Sequence, residues 1–159
     1  MTAGAATVTQ GAGSYILFTV AGTTYALPSG DVRHMEMIEE ITRVPNAPPF
    51  IDGVVFSRGQ VVPVVNLRAR FGFERAAVDL RSRLIVVQSA ARMIALAVDS
   101  AREFVTIPAD AIQPPNEALA GMSGRYVSGI ASMGDRLVLI LSLDRILNFA
   151  EAPTVGLAD

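Results

Sequence analysis

One segment of this chain occurs twice. Residues 50–71 align without a gap on residues 126–147, at an offset of 76. Ile51, Gly53, Val54, Val62, Val64, Val65 and Leu67 fall on Val127, Gly129, Ile130, Val138, Ile140, Leu141 and Leu143. Glycine therefore meets glycine, and apolar meets apolar. Upstream, Tyr15-Ile16-Leu17-Phe18, Tyr25-Ala26-Leu27 and Arg33 match Leu84-Ile85-Val86-Val87, Ile94-Ala95-Leu96 and Arg102 at an offset of 69. Two nearly equal offsets in the same order mean one structural unit built twice, with a short insertion in the second copy. A half of roughly 70 residues is marginal alone, so the two units must share a core.

Strand signals dominate each unit. Residues 15–20 are aromatic and β-branched, Ala21-Gly22-Thr23 is a turn, and 24–27 return to make a hairpin. Residues 32–38 read as a short helix or an irregular strand, and 41–44 as extended before Pro45, Pro48 and Pro49. A second hairpin, 50–56 with 61–65, turns at Ser57-Arg58-Gly59-Gln60, where Gly59 supplies backbone freedom. A half-turn at 68–72 closes the unit. The second unit runs through 84–87, 93–98 and 101–107 to a one- or two-turn helix near Pro108. After a Gly/Ser-rich stretch at 121–124 come 126–131, a turn at Met133-Gly134-Asp135, 136–141 and a helix at 143–149. About five short strands per unit suffice to curl a sheet into a small barrel with few exposed edges. The expected architecture is all-β, two barrels related by an approximate twofold, and a parallel sheet would contradict it.

The apolar content of 51% is high for 159 residues. No apolar run approaches the ~20 residues of a membrane helix, because Asp99, Arg102, Asp135 and Arg136 interrupt the richest stretches. The surplus must line cores or partner surfaces. With no cysteine, disulfides and thiolate chemistry are excluded. All 13 basic residues are arginines scattered singly or in pairs and the net charge is −2, which disfavours a nucleic-acid surface. Residues 1–13 and 151–159 read as flexible tails flanking a domain at 14–150. Its barrel subdomains are expected at about 14–75 and 80–150, with strand exchange between them allowed. The N-terminal stretch carries no basic n-region, so the reading is a cytoplasmic protein without a signal peptide.

The residues expose no catalytic or metal-binding constellation. His34 is the only histidine, so it has no second imidazole for a metal site. Glu39-Glu40 reads as solvated charge. Gly11-Ala12-Gly13 lacks the spacing and the strand-to-helix context of a phosphate loop. Asp79, Asp99 and Asp110 lack calcium-loop spacing. No cofactor is expected.

Gly53-Val54-x-x-x-Arg58-Gly59-x-Val61-Val62-Pro63-Val64-Val65-Asn66-Leu67-Arg68, preceded by Pro48 and Phe50-Ile51, resembles the signature of the CheW-type chemotaxis coupling proteins. So do Ala97-Val98-Asp99 and the closing Tyr126-Val127-x-Gly129 with Gly134-Asp135-Arg136-Leu137. The resemblance runs from about 15 to 149. It implies two five-stranded SH3-like barrels around a shared hydrophobic core, and an adaptor without catalysis. Such proteins bind the regulatory domain of a CheA-type histidine autokinase and the cytoplasmic tip of methyl-accepting chemoreceptors, placing the kinase in a membrane receptor array. Two alternatives stand beside this reading: a detached regulatory domain of a chemotaxis-type kinase, and a coupler for a divergent, non-chemotactic pathway. A ligand-binding or catalytic small barrel is a third.

Carried over by position, the resemblance implies a partner-binding surface of Val32, His34 and Met35 with Gly53 and Arg58, and it places kinase docking on the first unit. Val54, Val61, Val62, Val64 and Val65 are expected to pack strands, with alternate residues lining the core. The chain also departs from the pattern. The family usually has Asn-Leu-Arg-Gly where Phe56-Ser57-Arg58-Gly59 stands, an acidic residue in place of His34, and commonly Asp in place of Asn66. Phe56 thereby joins the expected docking surface. Either the counter-charge of Arg58 has moved to Glu36, or the guanidinium is free for a partner's carboxylate. A protonated His34 close to Arg58 would repel it below about pH 6.5.

Overall fold

The computed structural model describes residues 12–115 and 123–149. Two hairpins and a single strand form each unit. In the first unit they are β1 (Ala12–Val20), β2 (Thr23–Pro28), β3 (Val32–Met37), β4 (Ile51–Ser57) and β5 (Gln60–Asn66), followed by helix α1 (Leu67–Arg70). The second unit has β6 (Arg83–Ser89), β7 (Arg92–Val98), β8 (Ser100–Pro108), β9 (Ile112–Gln113), β10 (Val127–Met133), β11 (Arg136–Leu141) and α2 (Leu143–Ile146). Residues 32–37 are strand rather than helix, and the helix expected near Pro108 is a single 3-10 turn, Ala109–Ala111. β1 begins at Ala12, inside the expected N-terminal tail. Residues 1–11, the tail at 151–159 and the start of the Gly/Ser-rich stretch lie outside the described residues.

The strands form a six-stranded sheet, β9-β10-β11-β2-β1-β8, and a five-stranded sheet, β3-β6-β7-β5-β4. Each closes into a barrel because one segment runs from edge to edge. In barrel A, β8 pairs with β1, the chain turns at 109–111, and β9 pairs with β10 at the opposite edge. Counted as one bent strand, β8 and β9 give this barrel five strands. In barrel B, β3 pairs with β6, and Thr42 bridges Val54 of β4.

The expected boundaries of about 14–75 and 80–150 allowed strand exchange, and the barrels are assembled with one. Barrel B is contiguous from β3 to β7, whereas barrel A joins the β1–β2 hairpin to the last strands of the chain. Each unit thus gives its leading hairpin to the other unit's barrel. The seams are parallel, β2 with β11 and β5 with β7, within otherwise antiparallel sheets. Neither sheet is the parallel sheet that would contradict the expected barrels; the seams are parallel because the first hairpin of one unit meets the last of the other, and nothing local sets their direction.

The repeat holds bond by bond. Ile51 pairs with Val65 and Gly53 with Val64, as Val127 does with Leu141 and Gly129 with Ile140, with a register shift at the same point in both. Asn66 caps α1 by accepting from the Ala69 amide, and Ser142 caps α2 by accepting from Arg145. Both glycines lie under the returning strand. A Cβ on Gly53 would sit 2.1 Å from the Thr42 carbonyl oxygen, and one on Gly129 would sit 3.3 Å from that of Gln113.

Strand alternation divides the apolar residues among three cores. Leu17, Ala26, Ile107, Ala131, Val138 and Ile140 fill barrel A, and Val55, Val62, Val64, Leu84, Val86 and Ala95 fill barrel B. Their neighbours Ile16, Phe18, Val65, Ile85, Val87 and Leu96 meet between the barrels, with Phe50, Phe71 and Tyr126 from the unit ends. Strands buried on both faces explain the unbroken runs Ile16-Leu17-Phe18 and Leu84-Ile85-Val86-Val87.

Candidate functional site

The residues expected to meet a partner lie in barrel B, at the end where β3 passes the β4–β5 turn. Along β3, Val32, His34 and Glu36 are half-buried while Arg33, Met35 and Met37 are exposed. A bulge between Val32 and His34 divides the strand's duties. Val32 packs against the shared core, while His34 and Glu36 stand opposite Val86 and Leu84, which fill the barrel.

At the turn, Arg58 has φ +50° and Gly59 φ +85°. Two successive left-handed residues match the right-handed twist of the flanking strands. A non-glycine residue there costs on the order of 1 kcal/mol. Arg58 is held exposed at the hairpin tip. On either side of it the pleat alternates: Ser57 points inward and is 3% exposed, while Phe56 points outward and is 75% exposed.

Closure of the barrel brings His34, Glu36 and Ser57 together. His34 Nε2 lies 2.6 Å from Glu36 Oε2 and 3.2 Å from Ser57 Oγ, and the Ser57 hydroxyl donates to the same carboxylate oxygen. With Nε2 protonated, one N–H is shared between Glu36 and Ser57. Burial would raise the Glu36 pKa, but hydrogen bonds from Ser57 and His34, with the charges of His34 and Arg58, outweigh it and bring it below the usual value. Serine, histidine and glutamate in contact invite comparison with a catalytic triad, but the geometry is wrong. Ser57 is buried and gives its proton to Glu36, and both partners use one imidazole nitrogen, so no relay runs through the ring.

Val32, His34 and Arg58 line one shallow depression of about 270 Å³, together with Arg33, Ser57, Gln60 and Met93. The other candidates lie elsewhere. Met35 is on the opposite face of β3 from His34, and Gly53 is buried beneath Thr42, where it can offer a partner no side chain. Phe56 pairs across the hairpin with Val61. Val61 corrects the expectation of strand packing, being 66% exposed, whereas Val62, Val64 and Val65 are fully buried and Val54 is half-buried. Phe56 and Val61 thus form an outward apolar pair beside the arginine tip. In barrel A the positions equivalent to Met35 and Val61 are Phe104 and Leu137, both exposed. Among the described residues Arg58 makes no hydrogen bond or ion pair, since Glu36 is taken by His34 and Ser57.

Three arrangements escaped the sequence reading. Ser57 could have been found by parity, as a polar residue in the inward series Gly53, Val55, Ser57. Asp99 binds Arg68 through Nη2 at 2.7 Å and Nε at 2.9 Å, and accepts from the Ala21 amide at 2.8 Å, fastening one hairpin turn to the other barrel. Burial would raise the Asp99 pKa, but the Arg68 and Ala21 bonds outweigh it and lower it. Arg70, only 5% exposed, donates to the Ile146 and Asn148 carbonyls and lies over the rings of Phe50, Tyr126 and Phe149. No sequence signal marks it, because its partners come from both units.

The CheW-like domain family model matches residues 14–151, nearly all of the described structure. The chain belongs to the CheW-like domain family. It is 27% identical over 158 residues to "Chemotaxis protein CheW" of Klebsiella aerogenes, covering 96% of this chain and 95% of that protein. With "Chemotaxis protein CheW" of Helicobacter pylori it shares 31% over 135 residues, covering 84% and 80%. In structure it resembles the scaffolding protein TtCheW from Thermoanaerobacter tengcongensis, with a TM-score of 0.79 and 29% identity over 86% of this chain and 92% of that one. This is the CheW fold of two sheets, and no helix among the described residues is long and apolar enough to cross a membrane. The departure at Asn66 has a physical reason in this CheW-like domain. Its amide donates to Asp52 at 2.8 Å, where an aspartate would face like charge.

Proposed function

We propose that this CheW-like domain is a non-catalytic chemotaxis scaffold that couples a CheA-type kinase regulatory domain to the cytoplasmic tip of chemoreceptors at membrane arrays. The observation that carries the reading is the match to curated CheW proteins over nearly their full length. That span supports a coupler over a detached kinase domain. On barrel B, Phe56 and Val61 offer apolar contact beside the unpaired cation Arg58, and arginine is among the residue types enriched at interface hot spots. Val32 and His34 line the depression beside Arg58, and Met35 adds an exposed apolar side chain on the other face of β3. Micromolar affinity, about −8 kcal/mol, suffices because array assembly raises the effective concentration.

The test is calorimetry with the kinase regulatory domain and with a soluble receptor fragment, for wild type, Phe56→Asp and Arg58→Ala. Both side chains project outward, so melting temperatures should be unchanged. At least one partner should bind more weakly by about 1 kcal/mol or more. Affinities for both partners that match wild type in both variants would refute the assigned surface.

A further inference from the structure

Arg58 and Glu36 sense each other but do not pair. The charge of Arg58 contributes to the lowered pKa of Glu36. Yet the carboxylate is turned to His34 at 2.6 Å and takes the Ser57 proton. All three clamp residues are held from opposite sides of the barrel closure: His34 and Glu36 project from β3, and Ser57 from the end of β4. Ser57 is buried on the inward face of β4. Arg58 is the next residue along the chain, in a turn whose left-handed backbone fixes where its side chain starts.

We propose that His34 and Ser57 are positioning residues: by holding the Glu36 carboxylate they keep it off Arg58 and leave the guanidinium for a carboxylate of the receptor. This rests on Arg58 being a docking residue. Without the clamp, Glu36 is an intramolecular competitor a strand away, at a concentration no partner can match. Desolvation then works against the partner as well, since the guanidinium must break one ion pair to make another. The polarity of this site follows from the same logic. A buried serine at an inward strand position needs a partner, and Glu36 with His34 supplies it.

The experiment measures binding of a soluble cytoplasmic chemoreceptor fragment from the same organism to the full chain by calorimetry, with melting curves for each protein. The variants are R58A, H34A, E36Q and the double variant H34A/E36Q. R58A should weaken binding, and E36Q should stay within about twofold of wild type. H34A should weaken binding by up to about sixfold, the competition expected from an exposed arginine–carboxylate pair. Removing the competitor should restore it, so H34A/E36Q should return to within about twofold of wild type. A residue that merely supports the fold would show no such rescue. If H34A fails to fold, Ser57→Ala with and without E36Q poses the same question. Wild-type affinity in H34A, or a double variant as weak as H34A, overturns the proposal while leaving Arg58 a docking residue. Wild-type affinity in R58A overturns the docking reading itself, and the proposal with it.

Discussion

Replacing Gly53 by alanine should damage this protein far more than the same change at its repeat partner. The added Cβ would lie 2.1 Å from the Thr42 oxygen, 2.7 Å from its carbonyl carbon and 3.0 Å from Arg43 Cα, all backbone atoms. Relief requires the 42–43 segment to retreat. That segment closes barrel B through two hydrogen bonds, Thr42 N to Val54 O at 2.9 Å and Val54 N to Thr42 O at 2.8 Å. Losing both costs about 2 kcal/mol. Holding alanine at φ +144° adds about 1 kcal/mol or more. The sum, roughly 3 kcal/mol, corresponds to a fall in Tm of about 6–12 °C for a chain of this length. At Gly129 the nearest atom is the side-chain Cγ2 of Ile112 at 2.8 Å, which can rotate away, and the backbone oxygen of Gln113 is at 3.3 Å. Gly129→Ala should therefore cost about 1 kcal/mol. Gly59 has nothing within 4 Å, so Gly59→Ala reports backbone strain alone, again about 1 kcal/mol. Urea denaturation of the three variants at pH 7 measures the ranking. If Gly53→Ala is no more destabilising than Gly59→Ala, the claim that barrel closure fixes this glycine is wrong.

Arg70→Ala should cost about 3 kcal/mol by stranding the Ile146 and Asn148 carbonyls and opening space beneath Phe50; a loss below about 1 kcal/mol in chemical denaturation would show that the aromatic cluster holds without the cation. Asp99 has a lowered folded pKa, so its stabilisation is complete above its unfolded value of 3.8 and is lost as pH falls through the folded one. Asp99→Asn should thus lose less stability than wild type on acidification below about pH 4, read from urea midpoints across pH. Asp31 is shifted the other way, raised by burial and by Asp144, so its ionised form burdens the folded state above its folded pKa. Asp31→Asn should raise the Tm at pH 7, and an unchanged or lower Tm would contradict that sign.

Much of the local structure was legible before any coordinates. The hairpin at 50–65 and its copy at 126–141 share a register shift, a glycine and a cap, because pleat, bulge and capping are fixed by residues within one or two turns of each other. Arg58 at an exposed tip followed from Arg-Gly between two apolar strands. Other features could not be read this way. The family resemblance puts Met35 and His34 on one surface, yet adjacent residues of a strand face opposite ways. Val61 is one valine among several in the two strands of this hairpin, and only the parity of β5 distinguishes it.

By itself, then, the sequence determined that one unit is built twice, where the hairpins lie and where they turn, since each depends on short-range periodicity and backbone freedom, while 32–37 stayed open between helix and strand. Tertiary structure decided which hairpin enters which barrel. The leading strands of both units are apolar on both faces, so either could pair with either closing hairpin. The three-residue link Ser29–Asp31 and the single residue Asp99 carry the chain straight into the other barrel, with no length to turn back. Closure of barrel B places His34 and Glu36 beside Ser57, and packing of the two units against each other places Arg70 among rings from both. Contacts between residues far apart in the chain leave no local periodicity to read.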